Sequence, residues 1–407
     1  MPINVVVIGG GAAGFFGAIT LAEVNPDVQI TILEQSQKVL DKVRISGGGR
    51  CNVTNALEDP SGLIHYYPRG QKELLGPFYR FGPGQMKAWL EAHGVTLKTE
   101  EDGRVFPESD RSETIIECFM RCCRDLRIGI HTSRKVVRIV PPSGDREPFT
   151  ILTRHESYSA DAVLIATGGQ GSIWRMLADL GHTIVPPVPS LFTFQISDQR
   201  IMDLPGVQVP RALVSLPDFG LEAEGPLLIT HWGMSGPAIL KLSSWGARDM
   251  AERNYRVPLL VNWNPAWSME DLRQLARTET KRQVKNTMQL PVPRRLWMGL
   301  LKDFSGLQKN WSEVSDKELS DLYQRITKTR WPVHGKSTFK EEFVTAGGVE
   351  LKEIDFKSFQ SRRIPRLYLA GEVLNIDALT GGFNFQAAWT GSYIAGQAMA
   401  ALGIDMD

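Results

Sequence analysis

The pattern of apolar and polar positions opens with a short run rich in Val and Ile over residues 4–8. Glycines follow, and residues 12–24 then carry helix-forming side chains at helical spacing. This order predicts a strand, a tight turn and a helix. A second buried strand is predicted over residues 28–33, with Glu34 at its end. Because a helix connects the two strands, we expect them to lie side by side and parallel in one sheet.

Further along the chain, the pattern predicts a mixture of helices and strands. Residues 82–93 and 112–125 have helical periodicity, and residues 136–140 with 149–153 predict a hairpin. The continuous apolar run over residues 161–166 is typical of a strand inside a parallel sheet. These elements extend the α/β pattern set by the first strand and helix.

The middle of the chain has a different character. Prolines recur every few residues over 186–217 among short apolar stretches, which predicts a smaller β-rich insertion with many turns. Ser268 with Asp271, and Ser315 with Glu318, have the spacing of residues that cap helix N-termini. An apolar helical stripe lies between these two pairs. We therefore expect a helical section after the β-rich one.

After Pro332 the composition reverts to that of the first domain. Residues 366–373 predict a strand that ends in a turn, and residues 385–402 predict a helix of small side chains. The two ends of the chain are therefore expected to build one nucleotide-binding α/β domain, with an insertion of about 150 residues between them.

Composition narrows the class of protein. The 407 residues are 42% hydrophobic with a net charge of +1, values typical of a soluble globular protein with two or three domains. Neither a membrane span nor a secretory signal is recognisable, so we expect a cytoplasmic protein. Cys118, Cys122 and Cys123 fall in one predicted helix and Cys51 stands alone, which does not suit a disulfide framework. A fourth ligand at the usual spacing is missing, so we predict no metal.

The charge is unevenly distributed in one region. The near-neutral balance argues against nucleic acid as a partner of the whole chain. Between Pro265 and Trp331, however, there are thirteen Lys or Arg and eight Asp or Glu, interleaved with tryptophans. One interpretation is the solvated face of a helical subdomain. The other is a surface that binds RNA or a protein.

The segment IGGGAAG, residues 8–14, has the spacing G-x-G-x-x-G through Gly9, Gly11 and Gly14. A turn without side chains lets a diphosphate approach the N–H groups and partial positive charge at the start of a helix. The segment directly follows a predicted strand, and Glu34 lies where a ribose hydroxyl needs an acceptor. A dinucleotide site is therefore predicted.

Later segments favour FAD over NAD as the dinucleotide. LYLAGE, residues 367–372, is a strand that ends in a glycine and a carboxylate able to accept hydrogen bonds from ribitol or ribose. TGGFNFQ, residues 380–386, opens a helix whose N–H groups would stabilise the negative charge that a flavin ring develops on reduction. A plain dehydrogenase would not need this return of the chain, so FAD is the predicted cofactor.

The segment ISGGGRCNVTN, residues 45–55, is predicted to pass against the same cofactor. The glycines at 47–49 would let the backbone approach it, and Arg50 could meet phosphate or developing negative charge. The asparagines can hold the loop or the polar edge of a ring. Cys51 lacks a partner in a C-x-x-C pair, so we interpret it as a packing or ring-contact residue, with a redox thiol as the alternative. A simple glycine-rich turn is the other reading of the segment.

Taken together, these motifs resemble the BaiN/YhiN-type flavoproteins, and the matching segments run in order from residue 5 to about residue 398. The segments are GGGAAG, K-x-x-x-SGGGRCNVTN (42–55), GRVFP (103–107), ATGG (166–169), THWGMSGPAIL (230–240), TAGGV (345–349) and AGEVLNIDALTGGFNFQAA (370–388). Two segments depart from the family pattern: QGSIWRMLADLGH after ATGG, and NIDALTGG in place of DGITGG. Both lie where a substrate could approach.

The resemblance implies an α/β fold with a Rossmann-like FAD-binding domain, an inserted β-barrel-like domain and a helical subdomain. The implied boundaries are 1–190 and 341–407 for the FAD-binding domain, 191–265 and 331–340 for the β-rich insertion, and 266–330 for the helical subdomain. The implied FAD contacts are Gly9, Gly11, Ala12, Ala13, Gly14, Glu34, Gln35, Lys42, Gly48, Gly49, Arg50, Cys51, Asn52, Val136, Thr167, Gly168, Gly169, Gly371, Glu372, Gly382, Phe383, Asn384, Phe385 and Gln386.

The resemblance also implies an FAD-dependent oxidoreductase, with aminoacetone oxidases among the relatives. Arg50 and His231 are the catalytic candidates, and Tyr66 or Tyr67 are further polar groups able to exchange a proton. We expect hydride to pass between a small-molecule substrate and flavin N5. Because a second G-x-G-x-x-G is missing, either NAD(P)H docks as a co-substrate or oxygen or another acceptor reoxidises the flavin. The alternative is a flavoprotein that binds RNA or a protein through its basic helical section.

Overall fold

The computed structural model describes residues 3–144, 147–337 and 344–403, and it divides into two compact units. The first unit comprises Met1–Val188 and Val344–Asp407, and the second comprises Pro189–Phe343. The predicted boundary between residues 340 and 341 lies outside the described residues. The finer division of the second unit into a β-rich insertion and a helical subdomain stays a proposal.

The first unit alternates strands and helices. In the N-terminal segment they are β1 Asn4–Ile8, α1 Ala12–Val24, β2 Gln29–Leu33, α2 Asp41–Gly49, β3 Thr54–Asn55, α3 Pro60–Leu63, α4 Gln71–Arg80, α5 Pro83–Ala92, β4 Leu97–Thr99, β5 Arg104–Pro107, α6 Ser112–Asp125, β6 Gly129–His131, β7 Val136–Val140, β8 Phe149–Thr153, β9 Ser157–Ala160, β10 Ala162–Ile165, α7 Gly171–Asp179 and β11 Ile184–Pro189.

The second unit is built from an antiparallel sheet and helices. Its elements are β12 Thr193–Gln195, β13 Gln208–Leu216, β14 Leu221–Thr230, β15 Gly233–Ser235, α8 Pro237–Trp245, α9 Ala247–Glu252, β16 Val257–Asn262, α10 Met269–Thr278, α11 Arg294–Leu300, α12 Asp316–Thr327, β17 Thr329–Val333 and β18 Gly335–Ser337. The C-terminal segment then returns to the first unit with β19 Thr345–Val349, β20 Ile354–Asp355, β21 Gln360–Ser361, β22 Leu367–Leu369 and α13 Phe383–Ala400.

The main sheet of the first unit has the strand order β20-β21-β22-β10-β1-β2-β6. Strand β1 pairs in parallel with β2 and β10, and β10 pairs in parallel with β22. All four residues of β10 are buried, which explains its unbroken apolar sequence. The predicted parallel pairing through α1, the hairpin of β7 and β8, and the bounds of β1, α1 and α6 are confirmed.

Helices α1 and α13 pack closely because small residues face each other. A Cβ on Gly17 would lie 3.2 Å from that of Ser392, and a Cβ on Gly396 would lie 2.8 Å from the carbonyl oxygen of Gly17 and 3.0 Å from Cβ of Thr20. These contacts advance in the same direction along both helices. The helices are therefore parallel, and their N-termini lie at the same end of the unit, where β1 and β22 also end.

The second unit forms its own core around a seven-stranded sheet, in the order β17-β16-β13-β14-β15-β12-β18. The predicted capping of α10 by Ser268 and of α12 by Ser315 is confirmed. Trp297, Trp311 and Trp331 are buried in this core. Most tryptophans of the basic section therefore serve packing rather than a surface. Among the residues that the structure describes, no helix has the length and apolar character needed to cross a membrane.

Candidate functional site

The glycines of the N-terminal turn, residues 9–14, have two different roles. Gly9 has φ of 114°, and a Cβ there would lie 2.5 Å from the carbonyl oxygen of Ala166. A Cβ on Gly14 would overlap the carbonyl oxygen of Gly9. A Cβ on Gly11 would meet nothing within 4 Å among the described residues, although its φ of −96° suits any side chain. Packing therefore explains Gly9 and Gly14, whereas Gly11 keeps space open beside the start of α1.

The start of α1 is suited to an anion. Gly11 is its N-cap, and within the described part of the chain no side chain caps it and no acidic residue stands in its first turn. The first N–H groups, at Ala12 and Ala13, carry the positive end of the helix dipole. An extended diphosphate is the ligand class that this arrangement fits best.

The side chain of Glu34 is held in place at the end of β2. Its Oε2 accepts a hydrogen bond from the Gly10 amide at 2.8 Å, and Oε1 accepts from the Ser36 amide at 2.8 Å and from the Ser36 hydroxyl at 2.9 Å. The amide of Gly9 donates to Leu33 at 2.9 Å, which ties the turn to the same strand. The carboxylate is thereby oriented beside the N-terminal turn.

A pocket gathers several of the predicted cofactor residues from separate segments. Gly9, Glu34, Gln35, Val136 and Thr167 line it. Its remaining lining residues are Ile8, Leu33, Arg134, Lys135, Gln170, Ser172 and Ile173. The structure thus brings β1, β2, β7 and the end of β10 together at the carboxyl edge of the sheet, where ligands of such folds bind.

The ATGG and LAGE segments meet beside the N-terminal turn. Lys42, at the start of α2, forms an ion pair with Glu372. A Cβ on Gly168 would lie 3.5 Å from Oε2 of Glu372 and 3.9 Å from Nζ of Lys42. Gly371 lies against Ala13 of α1, because a Cβ on Gly371 would lie 3.3 Å from Cβ of Ala13. Gly169, by contrast, faces Thr345 and Trp174 of its own unit.

The glycine triplet unwinds the end of α2. Ser46 is extended, and Gly47, Gly48 and Gly49 have φ of 58°, 69° and 84°, in the left-handed region that favours glycine. Around a Cβ at Gly48 or Gly49, nothing among the described residues lies within 4 Å. As at Gly11, tight packing does not account for these two glycines, and they leave the backbone open to a ligand.

Cys51 follows the triplet and is fully buried, with φ of 61°. Burial raises the pKa of its thiol to about 12, and a hydrogen bond from Ser46 only partly opposes this. Because the thiolate is the reactive form, the geometry favours the packing role over the redox role.

Arg50 is held by carboxylates of its own unit. Its guanidinium lies 4.0 Å over the ring of Phe106, and Nη1 donates to Glu100 at 2.6 Å and to Asp110 at 3.4 Å. The hydrogen bond to Glu100 raises the pKa of Arg50, and the other carboxylate adds to the effect. Its catalytic role stays a prediction.

The segment after Arg50 joins the start of α13, and we call residues 50–55 and 376–386 the paired loops. The Asn52 amide, oriented so that both its atoms are satisfied, accepts from Gly382 N at 2.9 Å and donates to Thr54 O at 2.9 Å. Thr54 Oγ1 donates to Gln386 Oε1 at 2.6 Å, and both side chains are fully buried. A Cβ on Gly382 would overlap the carbonyl oxygen of Thr54. Asn55 Nδ2 donates to Gly381 O at 3.0 Å.

Three contacts that the sequence motifs did not reveal complete the paired loops. Trp389 Nε1 donates to Val53 O at 2.8 Å. Asn384 bonds both backbone groups of Ala378, at 2.9 and 3.0 Å, which closes the loop before α13. Asp377, fully buried, forms an ion pair with Arg69. The segment NVTN, residues 52–55, was recognisable in the sequence as part of this site. Nothing in the sequence indicated that Arg69 and Asp377 form an ion pair.

The start of α13 resembles the start of α1 in its chemistry. Gly382 is its N-cap and has no side chain to cap it, and in the described residues its first turn lacks acidic groups. Phe383 is buried, whereas Phe385 stacks on Trp389 with ring centroids 5.4 Å apart. The structure therefore presents two helix N-termini at one end of the unit, each preceded by glycine and each electrostatically suited to negative charge.

His231 belongs to the second unit. It is exposed in the turn between β14 and β15, beside Trp232, with ring centroids 6.2 Å apart. The remaining predicted residues lie in the first unit. The catalytic role of His231 therefore stays a prediction.

The residues present fit an extended dinucleotide with a flavin at one end. No atom of the described residues fills the space beside Gly11, Gly48 and Gly49, so a ligand can approach the backbone there. The two helix N-termini, together with the Glu34 and Glu372 carboxylates, supply donors for anionic oxygens and acceptors for hydroxyls. This donor and acceptor set matches the diphosphate, ribose, ribitol and ring of FAD.

This chain resembles known proteins along nearly its whole length. The family model described as "HI0933-like protein Rossmann domain" matches residues 3–398. A 3-dehydro-bile acid delta(4,6)-reductase of Clostridium scindens is 28% identical, over 97% of this chain and 98% of its own length. A ribosomal RNA dihydrouridine synthase of Haemophilus influenzae is 28% identical, over 95% of this chain and 96% of its own length. One of Escherichia coli is 26% identical, over 98% of each chain.

Solved structures with the same fold include steroid-oxidising enzymes. The 3-ketosteroid-delta4-(5alpha)-dehydrogenase of Rhodococcus jostii superposes with a TM-score of 0.53 at 13% identity, over 98% of this chain and 97% of that one. The 3-ketosteroid delta1-dehydrogenase of Sterolibacterium denitrificans gives 0.51 at 12% identity, over 98% and 99%. At these identities the likeness concerns the fold, and it confirms the predicted α/β class.

Proposed function

The chain belongs to the HI0933-like Rossmann family of FAD-binding proteins, and from that premise we propose that it is an FAD-dependent reductase of carbon–carbon double bonds conjugated to a carbonyl group. The resemblance seen in the sequence motifs is thereby confirmed. The observation that carries the proposal is the pair of helix N-termini at one end of the first unit, each with a glycine as its N-cap. It is supported by relatives that match over nearly their whole length.

The substrate class rests on what the names of the relatives share. A delta(4,6)-reductase of a 3-dehydro-bile acid saturates a double bond conjugated to the 3-oxo group. A dihydrouridine synthase saturates the ring double bond of uracil, which is conjugated to a ring carbonyl. The two substrates differ in size and polarity, but the reacting group is the same. We propose the same reacting group for this chain. We do not propose that it acts on either of those two substrates.

The residues of the first unit would divide the work along the cofactor. The N-H groups at Ala12 and Ala13 bind the diphosphate, and Glu34 accepts from a ribose hydroxyl. Glu372 accepts from ribitol, with Lys42 holding its carboxylate. The start of α13, at Gly382, stabilises negative charge at the ring. When bound, FAD supplies the two-electron chemistry, and the protein supplies binding, orientation and electrostatics.

The source of electrons is part of the proposal. We propose that NAD(P)H reduces the flavin as a visiting co-substrate, because a chain that saturates a double bond consumes a hydride in each turnover. If the enzyme instead oxidised amines, the substrate would reduce the flavin, and oxygen or another acceptor would take up the electrons. Both directions use the same site.

The test is anaerobic mixing of the purified yellow protein, first with NADH or NADPH and then with oxidised acceptors. We expect the nicotinamide to bleach the flavin. A cyclic enone, a 3-oxo-delta-4 steroid or a uridine oligonucleotide should then restore the flavin absorbance, while the matching saturated ketones should not. Oxidised protein is mixed in parallel with a panel of amines. Bleaching by an amine, with no response to any conjugated acceptor, would replace the proposal with amine oxidation.

A second candidate is reduction of a uracil ring within RNA, favoured by the two full-length relatives with that name. The expectation that nucleic acid is not a partner is therefore left open. Burial of Trp297 and Trp311 removes stacking platforms from the basic section, and several of its cations are paired, as in Lys309 with Glu318 and Arg325 with Asp321. RNA binding that weakens steeply between 50 and 200 mM salt would favour this candidate. Turnover of free enones without RNA affinity would exclude it.

A further inference from the structure

The segment before α4, residues 64–70, packs against the start of α13. The ring of Tyr66 stacks on that of Phe383, with centroids 4.2 Å apart and an interplanar angle of 22°. The backbone carbonyl of Tyr66 accepts from Leu379 N at 2.9 Å. Tyr67 donates its hydroxyl to Phe383 O at 2.6 Å. These contacts hold the Tyr66 ring beside the first residue of α13.

The hydroxyl of Tyr66 differs from the other polar groups near the paired loops. Tyr66 is 38% exposed, and among the described residues its hydroxyl has no hydrogen-bond partner. Tyr67 is fully buried, and its hydroxyl is used by Phe383. Arg50 and Arg69 are each held by carboxylates. Cys51 is buried. Tyr66 thus combines a fixed ring with a proton that solvent can replace.

We propose that Tyr66 is the proton donor of the reaction and that it delivers a proton to the α-carbon of the conjugated substrate. This inference rests on the proposed function and names the acid that the function requires. The position of the ring on Phe383 carries it, because the start of α13 is the part of the site suited to the electron-accepting ring of FAD.

The β-carbon of the substrate receives a hydride with its electron pair from the reduced cofactor, and the α-carbon receives the proton of the Tyr66 hydroxyl. The carbon–carbon π bond breaks and two C–H bonds form, so the substrate gains two electrons and the cofactor loses two. The phenolate regains its proton from solvent.

Tyr66→Phe tests the proposal because it removes the hydroxyl and keeps the ring that stacks on Phe383. Tyr79, 64% exposed on α4, supplies the matched control, Tyr79→Phe. We expect the rate of substrate reduction in a single turnover to fall by about 10²- to 10⁴-fold in Tyr66→Phe, the usual contribution of a positioned acid. FAD content, thermal midpoint and reduction by NAD(P)H should stay at wild-type values, and Tyr79→Phe should match the wild type throughout.

A second measurement does not depend on activity. Tetranitromethane should nitrate Tyr66 and Tyr79 in cofactor-free protein, as quantified by peptide mass spectrometry. Bound FAD should protect Tyr66 by tenfold or more and leave Tyr79 unprotected. Equal nitration of Tyr66 with and without FAD would place it away from the cofactor and overturn the proposal.

The outcomes separate the inference from the proposed function. If the wild type reduces a conjugated acceptor and Tyr66→Phe does so at the same rate, the function stands and the inference is wrong. If the wild type reduces none of the acceptors, the function fails and the assigned proton step falls with it. Loss of FAD or of thermal stability in Tyr66→Phe would show a structural role instead.

Discussion

The N-terminal turn and the paired loops both prepare a helix N-terminus, but they are built in different ways. The turn lies between the first strand and the first helix, and Glu34 of the next strand is held by Ser36 and by Gly10, 24 residues away. A distant backbone contact of the turn is that of Gly9 with Ala166. The paired loops join residues more than 300 positions apart, as in Thr54 with Gln386. The first site relies on backbone shape, and the second on buried side-chain hydrogen bonds and an ion pair.

This difference predicts which substitutions should disrupt each site. A backbone turn fails when a side chain enters a space that only glycine leaves open. Loops joined by buried polar groups fail when one partner is removed, because the other is left without compensation for its lost hydration. Different kinds of substitution in the two regions should therefore weaken cofactor binding.

The largest effect is expected in the paired loops. Asp377→Ala leaves the guanidinium of Arg69, 12% exposed, without its buried carboxylate, which typically costs about 3–5 kcal/mol of unfolding free energy. The control is Glu113→Ala, which breaks an exposed ion pair with Arg44 in the same unit and should cost about 0–1 kcal/mol. Urea denaturation of the cofactor-free protein measures both. Similar losses of unfolding free energy in the two variants would mean that the ion pair of Arg69 with Asp377 does not stabilise the paired loops.

Two substitutions in the N-terminal turn should divide packing from binding. In Gly14→Ala the new methyl overlaps the carbonyl oxygen of Gly9, so we expect a loss of about 1–3 kcal/mol in stability. In Gly11→Ala the methyl enters open space, so the stability of cofactor-free protein should fall only by the cost of a poorer N-cap, about 1 kcal/mol or less. FAD affinity of Gly11→Ala should nevertheless fall about tenfold or more, a change of about 1.4 kcal/mol.

Thermal unfolding and FAD titration by fluorescence quenching measure the two glycine variants. Unchanged FAD affinity in Gly11→Ala would contradict the assignment of that space to the diphosphate. Unchanged stability in Gly14→Ala would show that the turn can shift.

The smallest effect is expected at Cys51. Because burial raises its pKa to about 12, only about 10⁻⁴ of the thiol is ionised at pH 8, so iodoacetamide should leave it unmodified in the folded protein. Cys122, also buried, is the comparison, since a hydrogen bond from Cys118 lowers its pKa and gives it a larger thiolate fraction. Raising the pH should increase modification of Cys51 only as the pH approaches its pKa. Peptide mass spectrometry that finds Cys51 modified before Cys122 would contradict its burial.

Local features of the sequence predicted the local features of the fold. The run of Val and Ile over β1, the glycine turn and the helical periodicity of α1 each depend on neighbours within a few residues, and each is found where expected. The capping residues Ser268 and Ser315 were recognisable for the same reason. Hydrogen-bond partners three residues apart do not depend on the rest of the molecule.

Pairings between distant segments were not predictable in this way. The sequence predicts that Arg50 could meet phosphate or developing negative charge, and that role stays a prediction. Its contacts with Glu100, Asp110 and the ring of Phe106 had no signal in the sequence. The left-handed conformation of Cys51 also had no signal in the sequence, because a cysteine rarely adopts it without surrounding contacts.

The sequence by itself determined that this chain has a glycine-rich turn after its first strand, a carboxylate at the end of its second strand and a C-terminal helix preceded by glycines. Backbone freedom and local periodicity depend on neighbouring residues, so the sequence alone carries them. Only the tertiary structure decided that α1 and α13 run parallel with their N-termini together, and that Thr54 meets Gln386 and Arg69 meets Asp377. Those arrangements depend on close packing and on burial of polar groups, and both exist only once the distant segments have folded against each other.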